Sequence, residues 1–251
     1  YNIGTTVLIY NKKLVKEAPK SWSVLWDEQY RDKVLMFNNS RDAFALAQFM
    51  LGQDLNTTSE EDWNAAAELL AKQKDAVHPV YVMDEVFNLM ESGEYAFATY
   101  YAGDYILMQD NNPDLGYCFP EEGVNLFYDA MCVPKCTQNK KGAEAFINFV
   151  SRPDNAVRNM YYIGYTSVIA GGDDDTVYSY LDYTYGAEDD EEDVVDYPLG
   201  YFFTGDNSDP DYVLRAPAEQ VNRQLGAQYP SQDAIERSAV MEYFDEDATK
   251  D

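Results

Sequence analysis

Histidine occurs once in these 251 residues, as His78, and cysteine three times, as Cys118, Cys132 and Cys136. A single histidine rules out histidine-pair metal centres, and the cysteine spacing matches no zinc pattern. The three cysteines read as small apolar residues at strand positions, and no disulfide pairing follows from their spacing. No Gly-x-Ser-x-Gly elbow and no phosphate-binding glycine loop is present. Among enzymes, only a paired-carboxylate hydrolase stays open to a chain so rich in acids. We therefore expect no enzyme, no cofactor and no resident metal. No apolar run reaches the roughly eighteen residues that would span a bilayer. Any membrane association would come through a tether or a partner. Basic residues are also scarce, 18 against 45 acids, and the net charge of −27 would repel nucleic acid.

Apolar residues make up 46% of the chain, which is enough for a sizeable core and one large or two ordinary domains. Most of the acids read as a solvated surface, although the sign of the charge also suits a cationic ligand. Tyrosine is abundant at 22 residues, and each offers a ring face together with a hydroxyl.

The most informative segment is Gly-Val-Asn-Leu-Phe-Tyr-Asp-Ala-Met-Cys-Val-Pro at 123–134. A strand-like run over 126–133 holds two adjacent aromatics, Phe127 and Tyr128, and a lone carboxylate, Asp129. One reading makes the rings core and lets Asp129 cap a turn. The other makes them a seat for an organic ammonium ion, which gains from ring faces and one charge-assisted hydrogen bond.

Around this segment, strands and helices alternate. Strands are expected at 5–10, 34–37, 77–82, 95–101 and 116–119, and helices at 22–30, 42–51, 60–74, 84–91, 141–151 and 154–162. Ser21, Ser59 and Gly52 supply caps, and Trp22 and Trp26 share one helix face. Such alternation means an α/β sheet with crossovers, whose ligands sit beyond the strand ends. Residues 173–193 carry ten acids and no basic residue. Their spacing fits no EF-hand, so a solvated acidic insertion is expected, with Asp189 and Asp190 as bystanders to binding. Residues 216–244 read as helical, with a break at Tyr229 and Pro230.

Several pieces occur in a fixed order: Trp-Ser-Val-Leu-Trp at 22–26, the Arg41 turn, the Phe-Tyr-Asp strand at 127–129, Lys-Gly-Ala at 141–143, Arg-Pro at 152–153 and Ile-Gly-Tyr at 163–165. This set resembles the spermidine/putrescine-binding proteins of polyamine ABC transporters. The resemblance runs from about residue 1 to 167 and returns weakly near 229–230. It implies a periplasmic-binding-protein-like type II α/β fold of two lobes. Residues 1–126 would form the second lobe and 127–168 would return to the first. Residues 169–215 would be the acidic insertion, and 216–251 a helical segment packing on the second lobe. Most of the first lobe would precede Tyr1, so a fragment is expected. The apolar side of the helix carrying Phe146, Ile147, Phe149 and Val150 should then be partly uncovered.

Carried over position by position, the family's amine-binding aspartate falls on Asp129. Its tryptophans fall on Phe127 and Tyr101, and its Ile-Gly-Tyr tyrosine on Tyr165. In the Asp-Asp-Ala-Arg-Glu turn, the binding aspartate becomes Asn39 and the glutamate becomes Asp42. Arg41 is retained and is expected to hold Asp42 or another loop carboxylate. One anchor is thus lost and two stacking rings are smaller, which admits a different polyamine or another organic cation. The implied ligand set is Asp129, Phe127, Tyr128, Tyr101, Tyr165, Asn39 and Asp42. The implied role is an extracytoplasmic receptor that captures putrescine or spermidine by closing about hinge strands and docks on an ABC permease. The alternative is the same fold for an amino acid, sugar or metal chelate.

Overall fold

The computed structural model describes residues 1–170, 175–188 and 190–243. It divides into two compact units: Thr5–Phe127 with Asp233–Asp251, and Tyr1–Gly4 with Tyr128–Gln232.

In the first unit, β1 (Asn2–Asn11) is buried along almost its whole length, with Val7, Leu8 and Ile9 fully covered. Such a continuous apolar run suits a central strand, and β1 lies between β4 (Phe97–Tyr101) and β5 (Leu115–Cys118), antiparallel to both. Outward from β4 come β2 (Val34–Phe37) and then β3 (Val80–Val82), with β2 parallel to each neighbour. Helix α1 (Ser40–Leu51) starts where Asn39 accepts the Arg41 amide and stops at Gly52, whose φ of 64° suits glycine. Helix α2 (Glu60–Val77) is capped by Ser59 and carries three acids in its first turn, where the helix dipole favours them. Helices α3 (Val86–Glu91) and α4 (Ala102–Asn111) complete the layer.

The expected helix over 22–30 is instead two 3-10 turns, Trp22–Trp26 and Glu28–Tyr30, because the Asp27 side chain takes the Gln29 amide and restarts the chain. Trp22 is fully buried, and its Nε1 donates to the Gly123 carbonyl at 2.8 Å. Gly123 has φ 110°, and a Cβ there would stand 2.3 Å from the Arg237 carbonyl oxygen. Strand β6 (Leu126–Asp129) pairs with β1, and its end belongs to the second unit. The Tyr1 amine donates to the Asp129 carbonyl. Residues 130–133, expected as strand, lie beyond β6 and form no strand. Cys132 and Cys136 consequently lie exposed in coil, with Cys118 alone on a strand, and all three thiols are free.

In the second unit, Asn2 and Ile3 pair with β7 (Thr166–Ser167). Helices α5 (Lys140–Val150) and α6 (Pro153–Ile163) precede it. No residue of α5 is buried, and Phe146 and Phe149 are 62% and 55% exposed. The stretch expected as a solvated insertion folds differently. Helix α7 (Thr176–Tyr185) buries Val177, Leu181 and Tyr185, four residues apart on one face. They join Leu199, Leu214, Ala216, Leu225 and Tyr229 in a core shared with the hairpin of β8 (Val194–Pro198) and β9 (Val213–Pro217). Acids 190–193 are exposed, whereas Asp173, Asp174 and Asp189 lie outside the described residues, as does Phe244. Residues 216–232, expected to pack on the unit of residues 5–127, belong here, because Leu225 and Tyr229 fill this core. The helical run breaks at Tyr229 and Pro230 and resumes over Gln232–Glu236. No helix among the described residues is long and apolar enough to cross a membrane.

Candidate ligand-binding residues at the strand ends

Strands β2, β3 and β4 run parallel, so Phe37, Val82 and Tyr101 end on one edge of the sheet. The chain turns there into α1 and α4, and that edge gathers four of the candidate residues. The Tyr101 hydroxyl donates to Asp42 Oδ2 at 2.8 Å, and Asn125 Nδ2 donates to Asp42 Oδ1 at 3.4 Å. The Asn39 side chain also hydrogen-bonds Tyr101, and its Oδ1 accepts the Arg41 amide at 3.1 Å. The Phe127 ring meets Tyr101 edge-on, with centroids 5.3 Å apart. Asn39, Asp42, Tyr101 and Phe127 are therefore one connected group.

Asp42 is only 5% exposed. Burial pushes its carboxyl up, while the Tyr101 hydroxyl, the Asn125 amide and the Arg41 charge hold it down. The Tyr101 hydroxyl is raised well above the usual tyrosine range, first by burial and then by the neighbouring Asp42 charge. Arg41, expected to hold a carboxylate bidentately, directs Nη2 to the Asn56 carboxamide at 3.3 Å while feeling the Asp42 charge. Asn56 in turn ties down the C-terminal segment through the Val240 carbonyl and the Glu242 amide.

The other three candidates lie in the second unit. Tyr128 is 55% exposed, and the Asp129 carboxylate is exposed with no hydrogen-bond or ion-pair partner among the described residues. Tyr165 is half-buried between Gly164, the left-handed cap of α6, and β7.

Sequence reasoning missed Phe37, Phe87 and Asp84, and gave Tyr100, in the same strand-end turn as Tyr101, no role. Tyr100 sits 4.9 Å from Tyr101 and 6.0 Å from both Phe37 and Phe87, centroid to centroid. Its hydroxyl donates to Asp84 Oδ1 at 3.0 Å. The tandem Tyr100-Tyr101 at a strand end was the available signal, because two adjacent hydroxyls there can reach two different loops, Tyr101 to Asp42 and Tyr100 to Asp84. No group of acids, histidine and cysteine among the described residues could hold a metal ion.

A buried carboxylate at the strand-end turns of the α/β sheet, and an exposed one at the end of β6, each have aromatic residues beside them in sequence or space. The chain belongs to the bacterial extracellular solute-binding protein family, whose pattern matches residues 1–179. It is 31% identical over 166 residues to the spermidine/putrescine-binding periplasmic protein of Salmonella typhimurium, covering 66% of this chain and 47% of that protein. It is 29% identical over 172 residues to the norspermidine sensor of Vibrio cholerae, covering 65% and 47% respectively. Its fold matches the spermidine/putrescine ABC transporter substrate-binding protein PotD from Streptococcus pneumoniae, solved with calcium and HEPES. The TM-score is 0.69 at 25% identity, over 98% of this chain and 63% of that one. The chain thus spans about half the length of the curated relatives it matches.

Proposed function

We propose that this chain belongs to an extracytoplasmic receptor that captures a polyamine, putrescine or spermidine, and delivers it to an ABC permease. One observation carries this reading. Asp129 offers an exposed carboxylate with no ion pair among the described residues, directly after Phe127 and Tyr128, a pattern that suits amine recognition. The printed ligands of the relatives support the same class. Rings beside the acids favour an organic cation over calcium, which takes oxygen ligands only. Asp129, Phe127, Tyr128, Tyr101 and Tyr165 serve as ligand contacts. Asn39 and Asp42 shape the strand-end turn around Tyr101. Membrane proximity comes through a tether or the permease.

The test is calorimetric titration of the intact protein with putrescine, spermidine, calcium chloride and a panel of sugars. Heat with the amines alone is the expected result. Binding of sugars or calcium in place of amines would move the chain to another ligand class of the same fold.

A further inference from the structure

Two acids of the unit containing residues 5–127 each accept a tyrosine hydroxyl at the strand-end edge, and they differ in what is left over. Asp42 is buried, with Oδ2 taken by Tyr101 and Oδ1 facing Asn125. Asp84 is exposed. It stands two residues past β3, where the Asn38 amide donates to the Val82 carbonyl and holds the two loops together. Its Oδ1 accepts from Tyr100 at 3.0 Å, and no protein cation meets it among the described residues. Tyr100 is itself 3% exposed and packed against Phe37, Tyr101 and Phe87, so the hydroxyl that orients Asp84 is rigidly placed. Phe87 lies one turn on from Asp84, its amide bonded to the Asp84 carbonyl at 3.3 Å, and its ring is half-buried. An exposed carboxylate, oriented by a tyrosine that packs against a partly open ring one turn on, is what an aliphatic ammonium group uses.

We propose that Asp84, rather than Asp42, is the carboxylate with which this unit holds one ammonium group of the ligand. It takes over the anchoring role vacated where asparagine stands at position 39. The inference rests on the polyamine reading and sharpens it to a ligand with at least two ammonium groups, one of them taken by Asp84. The Tyr100 hydroxyl keeps one oxygen occupied, leaving the other for an N–H donor.

The test compares putrescine with N-acetylputrescine, which lacks one ammonium group, on the intact protein and on Asp84→Asn. Asparagine still accepts the Tyr100 hydroxyl, so the fold is preserved, and an unchanged unfolding midpoint verifies this. The expected result is a loss of about tenfold or more in putrescine affinity. N-acetylputrescine, free to place its single ammonium elsewhere, should lose much less, so the preference for the diamine collapses. Asp75→Asn, an exposed acid on α2, should change either affinity by less than about twofold. The inference is overturned if Asp84→Asn binds both ligands as the parent does, or if it loses both equally, which marks a structural role. A parent protein that binds neither amine overturns the polyamine reading itself, and Asp84's role with it.

Discussion

In the unit of residues 5–127, the candidate carboxylate Asp42 is 5% exposed and receives a tyrosine hydroxyl and a carboxamide. In residues 128–232, the corresponding acid, Asp129, faces water and has no such partner among the described residues. As sequence, each acid stands within two residues of an aromatic, Asp42 before Phe44 and Asp129 after Tyr128. Their surroundings give them different work. A buried carboxylate that already has its donors holds a turn in shape, and replacing it leaves those donors stranded. An exposed one has free acceptor capacity and can be changed without disturbing the fold.

The largest effect expected is on stability in residues 128–232. Leu181→Ala opens a cavity in the core around Tyr229 and should cost about 2–5 kcal/mol, read as a lowered urea midpoint. A neutral result would mean that α7 is not integral to that unit. Next comes Asp42→Ala, which strands the Tyr101 hydroxyl and the Asn125 amide and should cost about 2 kcal/mol. Asp129→Ala should leave the unfolding curve in place, and comparable losses at the two sites would erase the contrast drawn between them.

Linkage sharpens the same contrast. Burial raises the Asp42 carboxyl in the folded state, so its charged form carries a penalty near neutrality. That penalty is relieved as pH falls through the folded-state titration and is gone below the unfolded value of about 4. The stability of the parent relative to Asp42→Asn should therefore rise on acidification from neutrality. A gap that narrows over that range would show that the donors, not burial, dominate.

Affinity effects are smaller. Asp129→Asn should weaken putrescine binding about tenfold, whereas Asp190→Asn combined with Glu191→Gln should change it by less than about twofold, because exposed charges are screened. Equal losses would indicate diffuse attraction rather than a site. Phe127→Ala should cost roughly 0.5–1 kcal/mol of putrescine affinity by calorimetry. No change would assign that ring to packing against Tyr101 alone.

Much of the first unit was legible from the chain. Val34–Phe37 was fixed by a short apolar run, and the helices after Asn39 and Ser59 by their caps. Periodicity misjudged places where a side chain intervenes, as Asp27 does in splitting the expected helix. The acids at 173–193 drew the eye from Val177, Leu181 and Tyr185, whose four-residue spacing was the better guide to a buried face. At the candidate site, the residue types were readable but not their state. Nothing in the sequence says that the Tyr101 hydroxyl occupies Asp42, or that Asp84 meets Tyr100, because both contacts join segments far apart along the chain.

The placement of the cysteines has a practical consequence. Burial, with Glu122 and Glu121 nearby, pushes the Cys118 thiol up to about 12, so it stays protonated and slow toward electrophiles. Cys132 and Cys136 are exposed in the coil that follows Asp129. In Cys136→Ser, a maleimide dye should therefore attach at Cys132 alone, three residues from the carboxylate proposed to meet the amine. Its fluorescence would report ligand capture in real time, without any engineered cysteine.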